Sequence, residues 1–350
     1  MRMVGLISVV PKKVVEFTAA YPHFPKADVD RIINNIGVKQ HREAEPGTTT
    51  SDLCIPGASA LLEKIGWARD SVDGLLFITQ TPDYYLPGTS HRIQHELGLS
   101  DRCLCLDVNL GCSGFTHGVI LARSLIASGA VKRLILCCGD VTTGTFRPGT
   151  ADARSHGDLG NAMMFGDAAS VAAFDGEGEH YKGAVWGSDG SGMSLISVPG
   201  GGFRDFCHPG LFEAKPDEGG QPRRAIDLRI NGAAIFNFTI RRVPPLIDEV
   251  LARSGWARDD VDSFVFHQAN KFILEFLRKR VKLPPEKVPL SIEEFGNTSS
   301  ASVPLTLTSR IPELMARGGK VMILGFGSGL SWSGVALEPK DVTILPLLEL

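Results

Sequence analysis

Short apolar runs alternate along the chain with stretches in which apolar residues recur at three- and four-residue spacing. Leu75-Leu76-Phe77-Ile78, Leu104–Val108, Arg133–Gly139, Phe264-Val265-Phe266 and Val321–Phe326 are runs of the first kind, each bounded by turn residues. Such runs read as strands buried on both faces. Between them, Phe115, Val119, Ala122 and Ile126 fall on one face of a helix predicted over 115–128. Strands alternating with helices predict an α/β fold with largely parallel sheets covered on both sides.

The pattern occurs twice. Gly66-Trp67-Ala68-Arg69-Asp70-Ser71-Val72-Asp73-Gly74-Leu75-Leu76-Phe77 returns as Gly255-Trp256-Ala257-Arg258-Asp259-Asp260-Val261-Asp262-Ser263-Phe264-Val265-Phe266, identical at eight of twelve positions. Arg133–Gly139 is echoed by Lys320–Phe326. Self-similarity on this scale marks a duplicated unit, and two copies are too few for a solenoid. The chain divides into halves over 1–175 and 176–338 with a tail over 339–350. Residues 200–224, rich in Gly, Pro and charge, form a long excursion.

Composition narrows the class. The 350 residues carry 36 basic and 39 acidic side chains, for a net charge of −3. No overall field draws the protein to nucleic acid or to an anionic membrane. No apolar run reaches the roughly 18 residues needed to cross a bilayer, and the first residues lack the layout of a secretory signal. The seven cysteines include no CxxC pair and no His/Cys cluster at zinc spacing, so neither a disulfide framework nor a metal site is expected. A reducing, cytoplasmic setting follows, for a soluble enzyme or binding protein.

Cys112 stands apart from the other cysteines, which read as small buried hydrophobes. It falls in Asn109-Leu110-Gly111-Cys112-Ser113-Gly114, a tight turn between the strand at 104–108 and the next helix. Free N–H groups and the positive end of the helix dipole are expected there to lower the thiol pKa, as an acyl-accepting nucleophile requires. His267 ends a strand, the side of an open α/β sheet where sites form. Phe295-Gly296-Asn297-Thr298-Ser299-Ser300-Ala301-Ser302 enters a helix, with Thr298 or Ser299 as its cap. Gly325-Phe326-Gly327-Ser328-Gly329 breaks a strand into alternating glycines without the Lys-Ser/Thr ending of a nucleotide loop.

In this order and spacing DVNLGCSGF, FVFHQAN, FGNTSSASVP and GFGSGLSW resemble the β-ketoacyl-acyl-carrier-protein synthase III family of the thiolase superfamily. Supporting blocks at Asn35–Lys39, Met164–Ala169 and Leu228–Phe236 extend the likeness over about residues 3–338. The resemblance implies a thiolase fold: two homologous βαβαβαββ halves in a five-layer α-β-α-β-α sandwich, usually a homodimer. It also implies that Cys112 takes an acyl group from a thioester. His267 and Asn297 then stabilise the enolate formed when a malonyl-carrier-protein-type extender loses CO2. Backbone N–H groups of Cys112 and Ser328 hold the tetrahedral oxyanion, Phe326 packs beside the sulfur, Leu86 lines or gates an acyl tunnel, and Asn270 meets the pantetheine arm. No cofactor is implied beyond the phosphopantetheine thioesters that serve as substrates.

Some positions depart from the family. Its coenzyme-A clamp of tryptophan and arginine falls on Arg31 and Leu159, and a frequent arginine near Asn270 is Phe272. Acyl-CoA and acyl-carrier protein both remain as primers. Leu277-Arg278-Lys279-Arg280-Val281-Lys282 places four cations in six residues; Arg278, Lys279 and Arg280 are candidates for docking an acidic acyl carrier protein. Asp83, Tyr84 and Tyr85 suggest an altered acyl pocket. Two other readings are an acyltransferase that forms an ester or amide without decarboxylation, and a non-catalytic partner subunit of a heteromeric synthase.

Overall fold

The computed structural model describes residues 1–20, 25–143, 159–217, 220 and 222–350. One sheet is built from β1 (Arg2–Val10), β2 (Gly74–Ile78), β3 (Leu104–Val108), β4 (Arg133–Asp140) and β5 (Ala168–Asp175), in the order β3–β2–β4–β5–β1. The second contains β6 (Tyr181–Ser188), β7 (Ser263–Phe266), β8 (Val321–Gly327) and β9 (Ser331–Leu337), in the order β7–β8–β9–β6. Counted within each half, second, fourth, fifth and first strands lie side by side in both sheets, so the sequence repeat is a repeat of topology. Among the described residues the third strand has no ladder in the second half. Residues 288–290, which hold its place in the chain, are irregular.

The sheets are mixed, where the sequence predicts largely parallel ones. β2 runs parallel to β3 and β4, and β7 parallel to β8, but the fourth and fifth strands pair antiparallel in each sheet. A parallel pair needs a crossover long enough for a helix, whereas β8 reaches β9 through three residues, a span only an antiparallel pair allows. The tail adds short strands at Thr343–Ile344 and Leu348–Glu349, both parallel to β1.

Five helices with the two sheets make the layers: α1 (Thr50–Ile65), α2 (Gly114–Ala127), α3 (Gly232–Ser254), α4 (Lys271–Arg280) and α5 (Ser302–Arg310). Side chains alternate across each strand. Leu75 and Phe77 of β2 therefore meet Leu53, Leu61 and Leu62 of α1, while Leu76 and Ile78 meet Phe115 and Val119 of α2. β8 does the same, with Val321 and Ile323 facing the layer of α2 and α5, and Met322 and Leu324 facing α3 and α4. Helices α2 and α5 thus lie between the sheets, and the central strands of both sheets are buried on two faces.

The duplicated block has a physical reason at several positions. Gly66 and Gly255 end α1 and α3 in the left-handed conformation, at φ 68° and 71°, where a Cβ is unfavourable. Arg133 stands over Trp67 at 5.1 Å, and Lys320 over Trp256 at 5.5 Å, each a cation–π contact at the head of the fourth strand. The Asp73 carboxylate accepts from the backbone N–H groups of Lys132 and Arg133 at 2.8–3.0 Å. Asp262 accepts likewise from Lys320 at 2.8 Å. Asp73→Ala leaves those partly solvated N–H groups without their protein acceptor and is expected to cost about 0.5–1.5 kcal/mol. Urea denaturation measures this, and an unchanged midpoint would show that the clamp is dispensable.

Candidate active site

Cys112 sits where the chain leaves β3 and enters α2, two residues before the helix begins at Gly114. The end of β8 lies directly against it. A Cβ on Gly327 would come within 2.5 Å of the Cys112 Cβ and 2.8 Å of Sγ, and one on Gly325 within 2.7 Å of the Ser113 Cα. The alternating glycines are therefore what lets the second sheet's backbone reach the nucleophile's turn. Beneath the contact, Ser113 Oγ and Ser331 Oγ share a hydrogen bond of 2.7 Å between the two halves.

The thiol behaves differently from the sequence expectation. Burial pushes its pKa up to about 11; the Ser328 and Cys112 N–H groups and the Ser299 hydroxyl oppose the rise, while the charge of Asp140 adds to it. Desolvation outweighs the helix end, so the resting sulfur is a protonated thiol and not the depressed thiolate anticipated from the turn. The two N–H groups aimed at sulfur are those expected to form the oxyanion pocket, on Cys112 and Ser328.

His267 follows β7 and is buried; its Nδ1 lies 2.7 Å from Ser302 Oγ. Burial depresses the imidazole to about 3 against a weaker bond to the Ser299 backbone, so the ring is neutral through the physiological range. Phe326 meets the ring edge-on, with centroids 5.7 Å apart. The Asn297 carboxamide is oriented by its neighbours: Ser299 N–H donates to Oδ1 at 2.9 Å, and Nδ2 faces the Ala269 carbonyl at 3.4 Å. Ser299 adopts φ 50°, unusual for a residue with a side chain, and neither it nor Thr298 caps the following helix with its side chain. The strained turn serves the amide instead.

Cys112, His267, Asn297, Phe326 and Asn270 line one cavity of about 980 Å³, with Tyr84 and Tyr85 on its wall. Asn270 Oδ1 caps α4 by accepting from Ile273 N–H at 2.8 Å, which leaves its NH2 for a ligand. Leu86 is 88% exposed and does not line this cavity. The preceding Asp83 is held by Arg92 at 2.7 Å and by the Ser51 hydroxyl, and the chain then turns Leu86 outward. Arg278 is not a free surface cation either: it is paired with Glu275 at 2.7 Å and donates to the Leu283 carbonyl at 3.1 Å. Lys279 and Arg280 are exposed.

Sequence reasoning passed over Gln80, which lines the cavity and donates to Ser328 Oγ at 3.1 Å. Its signal was its place past the end of β2, the counterpart of the strand that ends before His267. At the coenzyme-clamp positions, Arg31 is exposed and paired with Asp28 at 2.8 Å, and the Leu159 side chain lies outside the described residues. Phe272 is exposed beside Phe236, with centroids 5.5 Å apart. Among the described residues no cluster of His, Cys, Asp or Glu could hold a metal ion, and no helix is long and apolar enough to cross a membrane.

Known proteins resemble the chain in both fold and sequence. The family 3-oxoacyl-[acyl-carrier-protein] synthase III matches residues 106–190, and the C-terminal region of that synthase matches 251–338. A 3-oxoacyl-(acyl-carrier protein) synthase from Burkholderia xenovorans superposes with a TM-score of 0.90 at 36% identity, over 100% of this chain and 97% of the other. A β-ketoacyl-[acyl-carrier-protein] synthase III from Streptomyces coelicolor is 31% identical across 95% of this chain and 92% of its own length. The priming β-ketosynthase of the R1128 polyketide pathway superposes with a TM-score of 0.79 at 26% identity, over 97% and 96% of the two chains.

Duplicated halves around an intersheet cysteine define a thiolase-fold condensing enzyme, a class of acyltransferase. Within that class the chain belongs to the β-ketoacyl-[acyl-carrier-protein] synthase III family.

A thiol titrating near 11 makes a direct prediction. Alkylation of Cys112 by iodoacetamide, followed by peptide mass spectrometry, is expected to accelerate about tenfold per pH unit from 7 to 10, because the thiolate is the nucleophile. A plateau reached below pH 8 would show a depressed thiol and contradict the burial argument.

Proposed function

We propose that the enzyme transfers an acyl group from a thioester to Cys112 and then condenses it with a malonyl group borne by an acyl carrier protein, in fatty acid or polyketide synthesis. In the first step the sulfur attacks the thioester carbonyl, losing its proton as the departing thiol gains one. In the second, the carbon–carbon bond to the malonyl carboxylate breaks, CO2 leaves, and the electron pair becomes an enolate. The neutral His267 imidazole and the Asn297 NH2 are suited to hydrogen-bond the enolate oxygen, where a carboxylate would repel it. The enolate carbon attacks the acyl-cysteine. The resulting oxyanion is held by the Cys112 and Ser328 N–H groups; its collapse breaks the bond to sulfur, releases a β-ketoacyl thioester and leaves a thiolate that takes a proton from solvent to restore the resting thiol. These steps use thiol, imidazole, carboxamide and N–H groups and call for no cofactor. The observation that carries the reading is the convergence of Cys112, His267 and Asn297, from both halves of the chain, on one cavity.

The surface supports the expected partners. Lys279 and Arg280 are exposed on α4, whose Ile273 lines the cavity, so an acidic carrier protein docked there stands beside the mouth. A homodimer is supported by β3, an edge strand with Leu104 and Leu106 at 38% and 43% exposure. Leu86 lies near the end of that edge, because Thr89 N–H donates to Asp107 at 2.6 Å. Its tunnel role is open only toward a second copy. The free cysteines of the described chain suit a reducing cytoplasm.

The test is intact-mass spectrometry after incubation with acyl-CoAs and acyl carrier proteins. An acyl increment is expected on the wild type and absent from Cys112→Ala. His267→Ala and Asn297→Ala are expected to acylate yet to lose CO2 release from malonyl-carrier protein by about a hundredfold or more. Equal loss of both steps would overturn this division of roles.

A further inference from the structure

One buried carboxylate has no part in the steps above. Asp140 closes β4, is 1% exposed, and its two oxygens point to different loops. Oδ1 accepts from Gln80 N–H at 2.7 Å and Thr79 Oγ1 at 3.1 Å; Oδ2 accepts from Ser300 Oγ at 2.9 Å and Ser300 N–H at 3.2 Å. Burial raises the pKa of this carboxyl, and the Gln80 and Ser300 donors, joined by the Ser299 hydroxyl, oppose the rise. All of these donors are neutral, and a buried carboxylate is costly unless its lone pairs are filled in this way.

Each loop it joins bears on a group of the reaction. Gln80 donates through its side chain to Ser328 Oγ, on the residue whose N–H faces the sulfur. Ser299 N–H orients the Asn297 amide, the Ser299 backbone bonds His267, and the Ser299 hydroxyl reaches Cys112. Asp140 thus ties the first sheet to Gln80, and through the Gln80 side chain to the oxyanion loop, on one side and to the Asn297–Ser300 turn on the other. An amide could not replace it, because one of its two ends would turn an N–H toward the N–H and O–H groups of Gln80 and Thr79 or of Ser300.

We infer that Asp140 is a positioning residue for the condensation chemistry, setting the Ser328 N–H and the Asn297 carboxamide against the Cys112 sulfur. This rests on the condensing role proposed for the cavity. The arrangement has a cost, since the charge that orders the loops also disfavours the thiolate. Removing the charge should therefore slow turnover while making the thiol easier to ionise, whereas Ser300→Ala, which keeps the charge, should slow turnover and leave the thiol's ionisation in place.

Asp140→Asn and the milder Ser300→Ala, which keeps the Ser300 N–H, are compared with the wild type. For Asp140→Asn, kcat for condensation is expected to fall about a hundredfold with KM for both thioesters little changed, and for Ser300→Ala about tenfold. The pH profile of Cys112 alkylation is expected to move lower by on the order of one unit in Asp140→Asn. The other groups that act on that thiol, the N–H groups of Ser328 and Cys112 and the Ser299 hydroxyl, are retained in both variants, as is the His267 ring that lines the same cavity. Cooperative thermal melts establish that the variants are folded; if Asp140→Asn is not, the kcat of Ser300→Ala decides. A kcat within about twofold of wild type in the folded variants would overturn the inference, as would an unmoved alkylation profile in Asp140→Asn. Alkylation needs no substrate. A wild type that does not condense thus removes the condensing reading, while the profile still judges the placement of Asp140.

Discussion

The structure turns on a contact between backbones. Gly325 and Gly327 bring the end of β8 to within a missing methyl group of the Cys112 turn, so the second sheet touches the nucleophile delivered by the first. Nothing larger than hydrogen fits at these two positions, and everything reactive is measured from them. Ser328, one residue on, aims its N–H at the sulfur, and Phe326, one residue back, bears on His267. The duplicated fold supplies the symmetry this needs. In each half the chain leaves the carboxyl ends of parallel strands toward the same cavity, so Cys112 from one copy can face His267 and Asn297 from the other.

A second theme is the neutrality of the resting site. Burial raises the thiol, lowers the imidazole and leaves a carboxamide as the third group, so no catalytic group carries a charge until substrate arrives. That suits a reaction whose negative charge is transient and moves from carboxylate to enolate to alkoxide. Preorganised neutral donors in a low-dielectric cavity stabilise such charge without a competing counter-ion. The cost to folding falls on acid solutions. His267, depressed when folded, gives its full contribution above its unfolded value near 6.5 and loses it as pH falls toward the folded value near 3.

Much of the architecture was legible because buried strands announce themselves as apolar runs and because the chain repeats itself. The repeated Trp, Asp and Gly were readable as a signal, though their physical purpose, clamping the fourth strand and ending a helix, emerged only from the contacts. Strand direction was not legible, since an apolar run is the same whichever way its neighbour points. At the site, Cys112 could be picked out on its glycine-flanked turn, whereas Asn297 and Ser328 were named through the resemblance of their motifs to a known family. Asp140, Gln80 and Ser299 could not, because hydrogen-bonding partners of buried loops follow no period. The direction of the Cys112 shift escaped for a related reason: it is decided by burial under loops distant in sequence. Arg278 was misread as a surface cation because a run of charges hides its place beside Leu274 and Leu277, on the inner side of α4.

The decisive quantity is the charge state of the imidazole during decarboxylation. CO2 release from malonyl-carrier protein, followed on enzyme already acylated at Cys112 between pH 5.5 and 8, isolates that step. A ring held neutral down to about 3 gives a rate that does not bend through pH 6.5. A loss of rate centred near 6.5 would mean a solvated histidine that titrates normally, and the dry pocket of neutral donors could not stand.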